Sequence, residues 1–228
     1  MGFRCATFFF CSLLFAGCVW AQTTVNTGLL PALNINKKLA QGWAINFKVE
    51  SRFNNGEARF SKVRVTDFTY DKTDVSAILS KQLDINHKVA AGYLARLEGN
   101  QYIHRFIQQY TLIQRSGGFR LAHRIASDQT LEEGEAVAVR LRYRLSSDFA
   151  LRGREVDPGE VYLKINNEYL IEQQSSSTDF ELRLVPVLGY YLNDKNKVEL
   201  GPDYRIGALF KEETRQRLWL SLTYYWVL

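Results

Sequence analysis

From about residue 25 onward, large apolar and polar side chains alternate along the chain. Over Trp43–Glu50 the odd positions carry Trp43, Ile45, Phe47 and Val49, and the even ones carry Ala44, Asn46, Lys48 and Glu50. Val137, Val139, Leu141, Tyr143 and Leu145 alternate with Ala138, Arg140, Arg142 and Arg144. At the C-terminus Leu218, Leu220, Leu222, Tyr224, Trp226 and Leu228 share one parity, while Arg217, Trp219, Ser221, Thr223 and Tyr225 share the other. A period of two is that of a β-strand, whose side chains point alternately to opposite faces. No helical period follows residue 21. The pattern predicts eleven strands, over about 28–37, 43–53, 68–80, 88–98, 103–114, 119–127, 137–148, 160–171, 180–192, 197–207 and 216–228. Tilted membrane strands need about 9–11 residues, whereas globular strands centre on about 5–6, so these lengths favour a membrane barrel.

The connections carry a second pattern. Gly117-Gly118 is a two-residue hairpin turn between apolar runs. Lys38–Gly42, Leu83–His87 and Asn193–Lys197 read as further short turns, and Asn54–Thr66, Asp128–Ala136, Glu172–Asp179 and Ala208–Thr214 as longer polar loops. Short turns alternating with long loops are expected of an outer-membrane barrel. Closing at Gly117-Gly118 sets Ser116 opposite Phe119, Leu112 opposite His123 and Gln108 opposite Ser127. One face then holds His104, Phe106, Tyr110 and His123, and the other Arg105, Arg120 and Arg124. The predicted fold is an all-β, antiparallel up-and-down transmembrane β-barrel. Single-chain bacterial barrels have even strand numbers, so about 10–12 strands are expected, with twelve favoured over the eleven stretches counted. Pro186 and Pro202 fall inside strands, where each removes a ladder donor and calls for a bulge.

Residues 1–21 read as a cleaved signal peptide: Arg4 is their single charge, an apolar run spans Cys5 to Ala16, and Val19-Trp20-Ala21 precedes Gln22. Gly17-Cys18 offers a lipoprotein site as the alternative. Cleavage after Ala21 removes Cys5, Cys11 and Cys18, all the cysteines, and leaves residues 22–228 as one barrel domain without disulfides or thiolate sites. Loss of Arg4 takes the net charge from +5 to +4. Basic residues are spread among Asp and Glu rather than gathered into a stripe, which argues against nucleic acid as a partner. No later stretch reaches the length of a membrane helix.

The charged parity defines the candidate interior: Lys48, Glu50, Arg52, Arg140, Arg142, Arg144, Glu168, Glu181, Arg183, Glu199, Asp203, Arg205 and Arg217. Such a face lines a passage and sets its selectivity, or fills the bore with cross-strand salt bridges. The ladder Arg140, Arg142, Arg144 favours anions if the passage is open. Catalytic parts are sparse among the three histidines. His87 reads as a solvated turn residue and His123 as one of the girdle side chains. His104, with Ser127 and Asp128 on the neighbouring strand, is the one candidate for hydrolysis or transfer of lipid acyl chains. No metal set, phosphate loop or dinucleotide fingerprint occurs, so neither metal nor cofactor is expected.

At His104-Arg105-Phe106-Ile107-Gln108-Gln109, Arg140-Leu141-Arg142-Tyr143-Arg144-Leu145 and Asn167-Glu168-Tyr169, the chain resembles an uncharacterised family of bacterial proteins, a domain-of-unknown-function group of Bacteroidetes type. The resemblance covers nearly all of the chain after Ala21-Gln22. It implies an outer-membrane β-barrel and no established chemistry. The last strand also resembles the assembly signal of outer-membrane proteins, although the final residue is Leu228 and the aromatic Trp226 lies two before it. Three functions follow as expectations. The first is a non-enzymatic outer-membrane barrel, structural or a narrow passive channel for an unknown small solute, with membrane lipids and the assembly machinery as partners. The second is a lipid- or lipopolysaccharide-modifying enzyme. The third is a soluble periplasmic β-barrel binding an apolar ligand.

Overall fold

The structure, a computed structural model, describes residues 25–59, 62–116, 119–153, 156–211 and 213–228. The leader expected over 1–21, with its cysteines, and the turn pair Gly117-Gly118 lie outside the described residues. Eleven strands follow in order: β1 (Val25–Lys38), β2 (Trp43–Arg59), β3 (Lys62–Gln82), β4 (His87–Glu98), β5 (Gln101–Ser116), β6 (Phe119–Leu131), β7 (Ala138–Ala150), β8 (Val161–Gln174), β9 (Ser177–Asn193), β10 (Asn196–Gly207) and β11 (Arg215–Val227). Each pairs antiparallel with the next, and β1 meets β11 to close the barrel. The only helical turn among the described residues is a short 3₁₀ segment, Ala40–Gly42.

The strand number is odd, and that dictates the closure. In an up-and-down barrel of eleven strands the first and last run the same way, so β1 and β11 pair in parallel from Val25↔Gln216 to Asn36↔Val227. The even number expected from bacterial barrels is therefore not reached, and one seam has the slanted hydrogen bonds of a parallel pair. At this seam Gly28 faces Trp219. A Cβ on Gly28 would overlap the Phe53 carbonyl oxygen and come within 2.8 Å of the Trp219 ring. The glycine is thus a steric requirement for laying the indole across the seam.

The connections differ from the expected asymmetry. Residues 39–42, 83–86, 117–118, 151–160 and 194–195 join strands at the end where β11 finishes, here the C-terminal rim. Residues 60–61, 99–100, 132–137, 175–176 and 208–214 join them at the N-terminal rim, where β1 begins. The long connection 151–160 lies on the side expected to carry only short turns. The expected loop 172–179 is instead a tight turn at Ser175-Ser176, with Ser175 at φ 51°. The polarity of Glu172 reflects an inward-facing strand end, where its carboxylate meets Arg140. The expected loop 54–66 continues the β2–β3 ladder to Arg59↔Lys62. Since β3 meets β4 only from Lys72↔Glu98 onward, the first part of β3 pairs with β2 alone. Register shifts at Arg52/Phe53 and Asn54/Gly56 mark where this hairpin leaves the barrel wall. At the C-terminal rim, Asp84 accepts the backbone N–H of Asn86 (2.8 Å) and His87 (2.9 Å). These bonds, that from Asn86 first, hold its carboxyl below the usual carboxylate range.

The β5–β6 register agrees with the turn-based expectation: Ser116↔Phe119, Leu112↔His123 and Gln108↔Ser127. The two prolines are accommodated without a bulge. The β9–β10 ladder runs from Leu200↔Leu188 to Tyr204↔Leu184 in unchanged register, which sets Pro186 opposite Pro202 within the gap. Their missing donors therefore interrupt one stretch of ladder rather than two. Gly201 beside them has no room for a Cβ, which would overlap the Pro186 carbonyl oxygen.

The apolar parity faces out and the charged parity faces in. Phe47, Val49, Leu141, Leu188, Leu200 and Leu220 are exposed, Leu188 to 56 %, while Arg52, Asp74, Asp128, Glu168, Glu199 and Arg205 are buried. Alternation extends this to the other strands, and among the described side chains the outward positions carry no Asp, Glu or Arg, with Lys37 and Lys81 near the C-terminal rim as their only charges.

Replacing Gly28 by Val tests the seam. The overlap with backbone at Phe53 has no flexible side chain to relieve it. The unfolding free energy of the barrel in detergent, read from urea titration, should fall by about 1–3 kcal/mol or closure should fail, as overpacking does elsewhere. Ala95→Val on the outward face should stay within about 0.5 kcal/mol.

Candidate functional site

The inward faces of β1 to β5 and β7 to β11 surround a cavity of about 600 Å³. All thirteen residues singled out in the sequence border it: Lys48, Glu50 and Arg52 from β2, Arg140, Arg142 and Arg144 from β7, Glu168 from β8, Glu181 and Arg183 from β9, Glu199, Asp203 and Arg205 from β10, and Arg217 from β11. Along β11 the lining extends from Arg215 at one rim to Tyr225 near the other. The full lining holds thirteen basic and nine acidic side chains. A smaller cavity of about 130 Å³ adjoins the N-terminal rim between Arg105, Arg140 and Glu132.

Removing a charge from water is costly unless it is paired, and the interior is organised accordingly. Asp74 accepts Arg96 Nε (2.7 Å) and Nη2 (3.0 Å) and Arg52 Nη2 (3.0 Å). Glu50 accepts Lys48 (2.5 Å) and Arg52 (3.2 Å), so a continuous chain of ion pairs crosses β2, β3 and β4. A second chain crosses β6 to β9. Asp128, with no exposed surface, accepts Arg142 at 2.7 Å, and Glu168 takes Arg144 (3.0 Å), Arg183 (3.2 Å) and Arg142 (3.8 Å). Near the C-terminal rim Glu199 is the hub, accepting Tyr162 Oη (2.8 Å), Tyr225 Oη (2.9 Å), Lys164 (3.2 Å) and Lys197 (3.3 Å). Gly189 makes this collar possible, because a Cβ there would overlap the Tyr162 ring.

Residues 27–217 match a family described as "Protein of unknown function (DUF2490)". The chain belongs to that family. No curated protein and no solved structure matches it. Membership fixes no chemistry, so function must be read from the DUF2490 barrel itself.

The arginine ladder behaves differently from its sequence appearance. Arg140 pairs with Glu172, Arg142 with Asp128 and Arg144 with Glu168, so each charge is committed along the wall. The cations left over are others. Arg105 bonds only the Thr130 hydroxyl (2.9 Å), and Arg217 has no carboxylate partner among the described residues. Both border the cavity. Sequence reasoning missed these two as the uncommitted charges because pairing depends on diagonal neighbours, which parity does not reveal. It also gave no role to Trp219, although a large indole on the polar parity opposite a glycine was a visible signal.

The catalytic candidates do not come together. His104 faces outward opposite Leu131, four positions along the ladder from Ser127 opposite Gln108, about 13 Å at the strand rise. Asp128 faces inward. The three histidines instead each meet a tyrosine hydroxyl diagonally across a strand pair: His87 with Tyr110 (2.5 Å), His104 with Tyr93 (2.5 Å) and His123 with Tyr143 (2.8 Å). His87, expected as a solvated turn residue, is thus the first residue of β4 with a partner. Among the described residues no three of His, Cys, Asp and Glu converge on a metal-sized point.

Glu168→Gln tests the second ion-pair chain. It leaves three guanidiniums facing a neutral amide, and breaking a buried charge cluster costs about 3–5 kcal/mol. Denaturant titration of the barrel in detergent should show that loss, whereas Glu133→Gln in the exposed 132–137 connection should show almost none.

Proposed function

We propose that this DUF2490 chain is an outer-membrane β-barrel, delivered by signal-peptide export, whose interior is a narrow aqueous passage preferring anions. It performs no catalysis. Its partners are outer-membrane lipids, the assembly machinery that receives β11, and a small solute. The observation that carries the reading is the inverted polarity. An uncharged apolar belt faces out, and ion pairs face a water-sized cavity. A soluble barrel of this length would put Leu188, Leu200 and Leu220 inside, where the transfer of apolar surface from water stabilises it.

Dimensions support the same reading. β1, β4, β6, β7, β8, β10 and β11 run 12–14 residues. At about 3.3 Å per residue and a tilt of about 40° such strands make a wall about 30 Å high. A bilayer's hydrocarbon core is about 30 Å thick. The anion preference follows from the excess of basic lining, and it resides in Arg105 and Arg217, which make no ion pair among the described residues.

Two measurements test this. Leu220→Arg places a charge midway along β11 on the outer face. In lipid vesicles it should cost about 2–4 kcal/mol, against almost nothing for an outer face bathed in water. A freely soluble wild-type monomer that tolerates the arginine would overturn the membrane reading. In planar bilayers the wild type should give single-channel steps with a reversal potential displaced toward anions under a salt gradient. The Arg105→Gln, Arg217→Gln double variant should move that potential toward zero. A sealed bilayer with correctly folded barrel would reduce the role to a structural one.

A further inference from the structure

The cavity wall is most unbalanced at the β1–β11 seam. Three guanidiniums surround the Trp219 ring: Arg205 at 4.6 Å from its centroid, Arg52 at 5.7 Å and Arg217 at 5.9 Å. Cation–π attraction accounts for the approach of each to the ring, but it satisfies none of the donors. Trp219 is 3 % exposed, and its Nε1–H has no acceptor among the described residues. The same holds for the Nε–H of Arg52, a side chain 9 % exposed. Buried donors without an acceptor are uncommon and costly.

The carboxylates within reach are already taken. Asp203 grips Arg205 with both oxygens, at 2.7 and 2.9 Å. Asp74 is held by Arg52 and Arg96, and Glu50 by Lys48 and Arg52. Glu181 meets Arg183. Arg217 therefore makes no ion pair among the described residues, Glu181 acting on it only from beyond ion-pair distance while paired with Arg183, and it stands beside two buried N–H groups without acceptors. Arg52, Arg205, Arg217 and Trp219 all border the open cavity, together with Asn26 and Asn54.

We propose that this corner is a binding site for a small oxyanion of the phosphate, sulfate or carboxylate class. Arg217 supplies the charge and the donors, Arg52 and Arg205 add to the positive field beside it, and Trp219, whose ring all three surround, senses occupancy. A guanidinium fork matches an oxyanion in shape and can only donate, so the set selects an acceptor-only ligand with several oxygens. A halide has no directed lone-pair geometry to use these donors together. A neutral polyol would leave the Arg217 charge uncompensated. The site rests on the interior being water-accessible, as in the passage described above, and it would retain or select the solute that enters.

The test uses the folded barrel in detergent micelles with Trp20, Trp43 and Trp226 replaced by Phe, so that emission reports Trp219 alone. Inorganic phosphate is titrated at constant ionic strength maintained with chloride. Sulfate and acetate follow in separate titrations to separate the oxyanion sources. A saturable emission change is expected for at least one oxyanion and none for chloride, with the same isotherm by calorimetry on the unsubstituted chain. Arg217→Gln has no ion pair to lose and should fold normally, shown by heat-modifiable migration, while raising the dissociation constant by about tenfold or more. A response that never saturates, or an isotherm that Arg217→Gln leaves unmoved, overturns the site. The two readings fail separately. A barrel that binds oxyanions but shows no conductance steps loses the passage and keeps the site. One that conducts anions without saturable binding loses the site and keeps the passage.

Discussion

The parallel seam between β1 and β11 is the constraint on which the barrel depends. A β-sheet has two edges of unpaired backbone donors and acceptors, and only closure removes them. With eleven strands the two edges meet running the same way, so closure requires a twelve-residue parallel register, from Val25↔Gln216 to Asn36↔Val227. Everything inside is then placed by that register. It sets Gly28 against Trp219, lays the indole along the inner wall, and gathers Arg52 of β2 and Arg205 of β10 on either side of one ring. A one-residue slip would turn the charged parity of β11 outward and its leucines inward.

The interior follows from the same geometry and from the cost of desolvating charge. Eleven of the seventeen ion pairs among the described residues involve a carboxylate below 15 % side-chain exposure, and these acids are shared: Glu168 and Glu199, for instance, each serve more than one cation. Sharing keeps the number of acids below the number of bases without leaving most bases unpaired. Of the basic side chains that border the cavity, Arg105 and Arg217 make no ion pair among the described residues; Lys88 and Arg124, inward on β4 and β6 but outside that lining, make none either. A wall built this way is rigid where the chains of pairs run and chemically open where they stop.

Much of this was legible in the sequence, and the limits have physical reasons. Alternation gave the strands from β4 to β11 to within about four residues at their ends, the facing of Arg140, Arg142 and Arg144, and thirteen of the residues that border the cavity, because a period of two is a local property of the backbone. The β2–β3 hairpin was read as a loop since Asn54, Asn55 and Gly56 carry turn chemistry, yet the ladder runs on past them with register shifts. Strand parity was misjudged because it was borrowed from other bacterial barrels, while the count of eleven stretches was already in the pattern. The partners of the ladder arginines and of the three histidines were not legible at all. They depend on which residues lie diagonally across a strand pair, and that requires the register.

The outer face supplies the remaining step. Several of its polar groups are bonded to one another. Ser51 meets Thr73 at 2.9 Å, Gln108 and Gln129 exchange two hydrogen bonds at 3.0 and 3.1 Å, and Tyr204 donates to Gln216 at 2.9 Å. The three histidine–tyrosine pairs follow the same rule. In water such pairing has small net value, since each group exchanges one partner for another. Against hydrocarbon an unpaired hydroxyl or amide costs several kcal/mol, roughly 4–8 on an alkane reference, so pairing becomes a requirement. An apolar belt explains why outward charge, Lys37 and Lys81, is kept to the rim. The mutually bonded polar pairs within it are a second, independent feature that a lipid surrounding favours more strongly than an aqueous one.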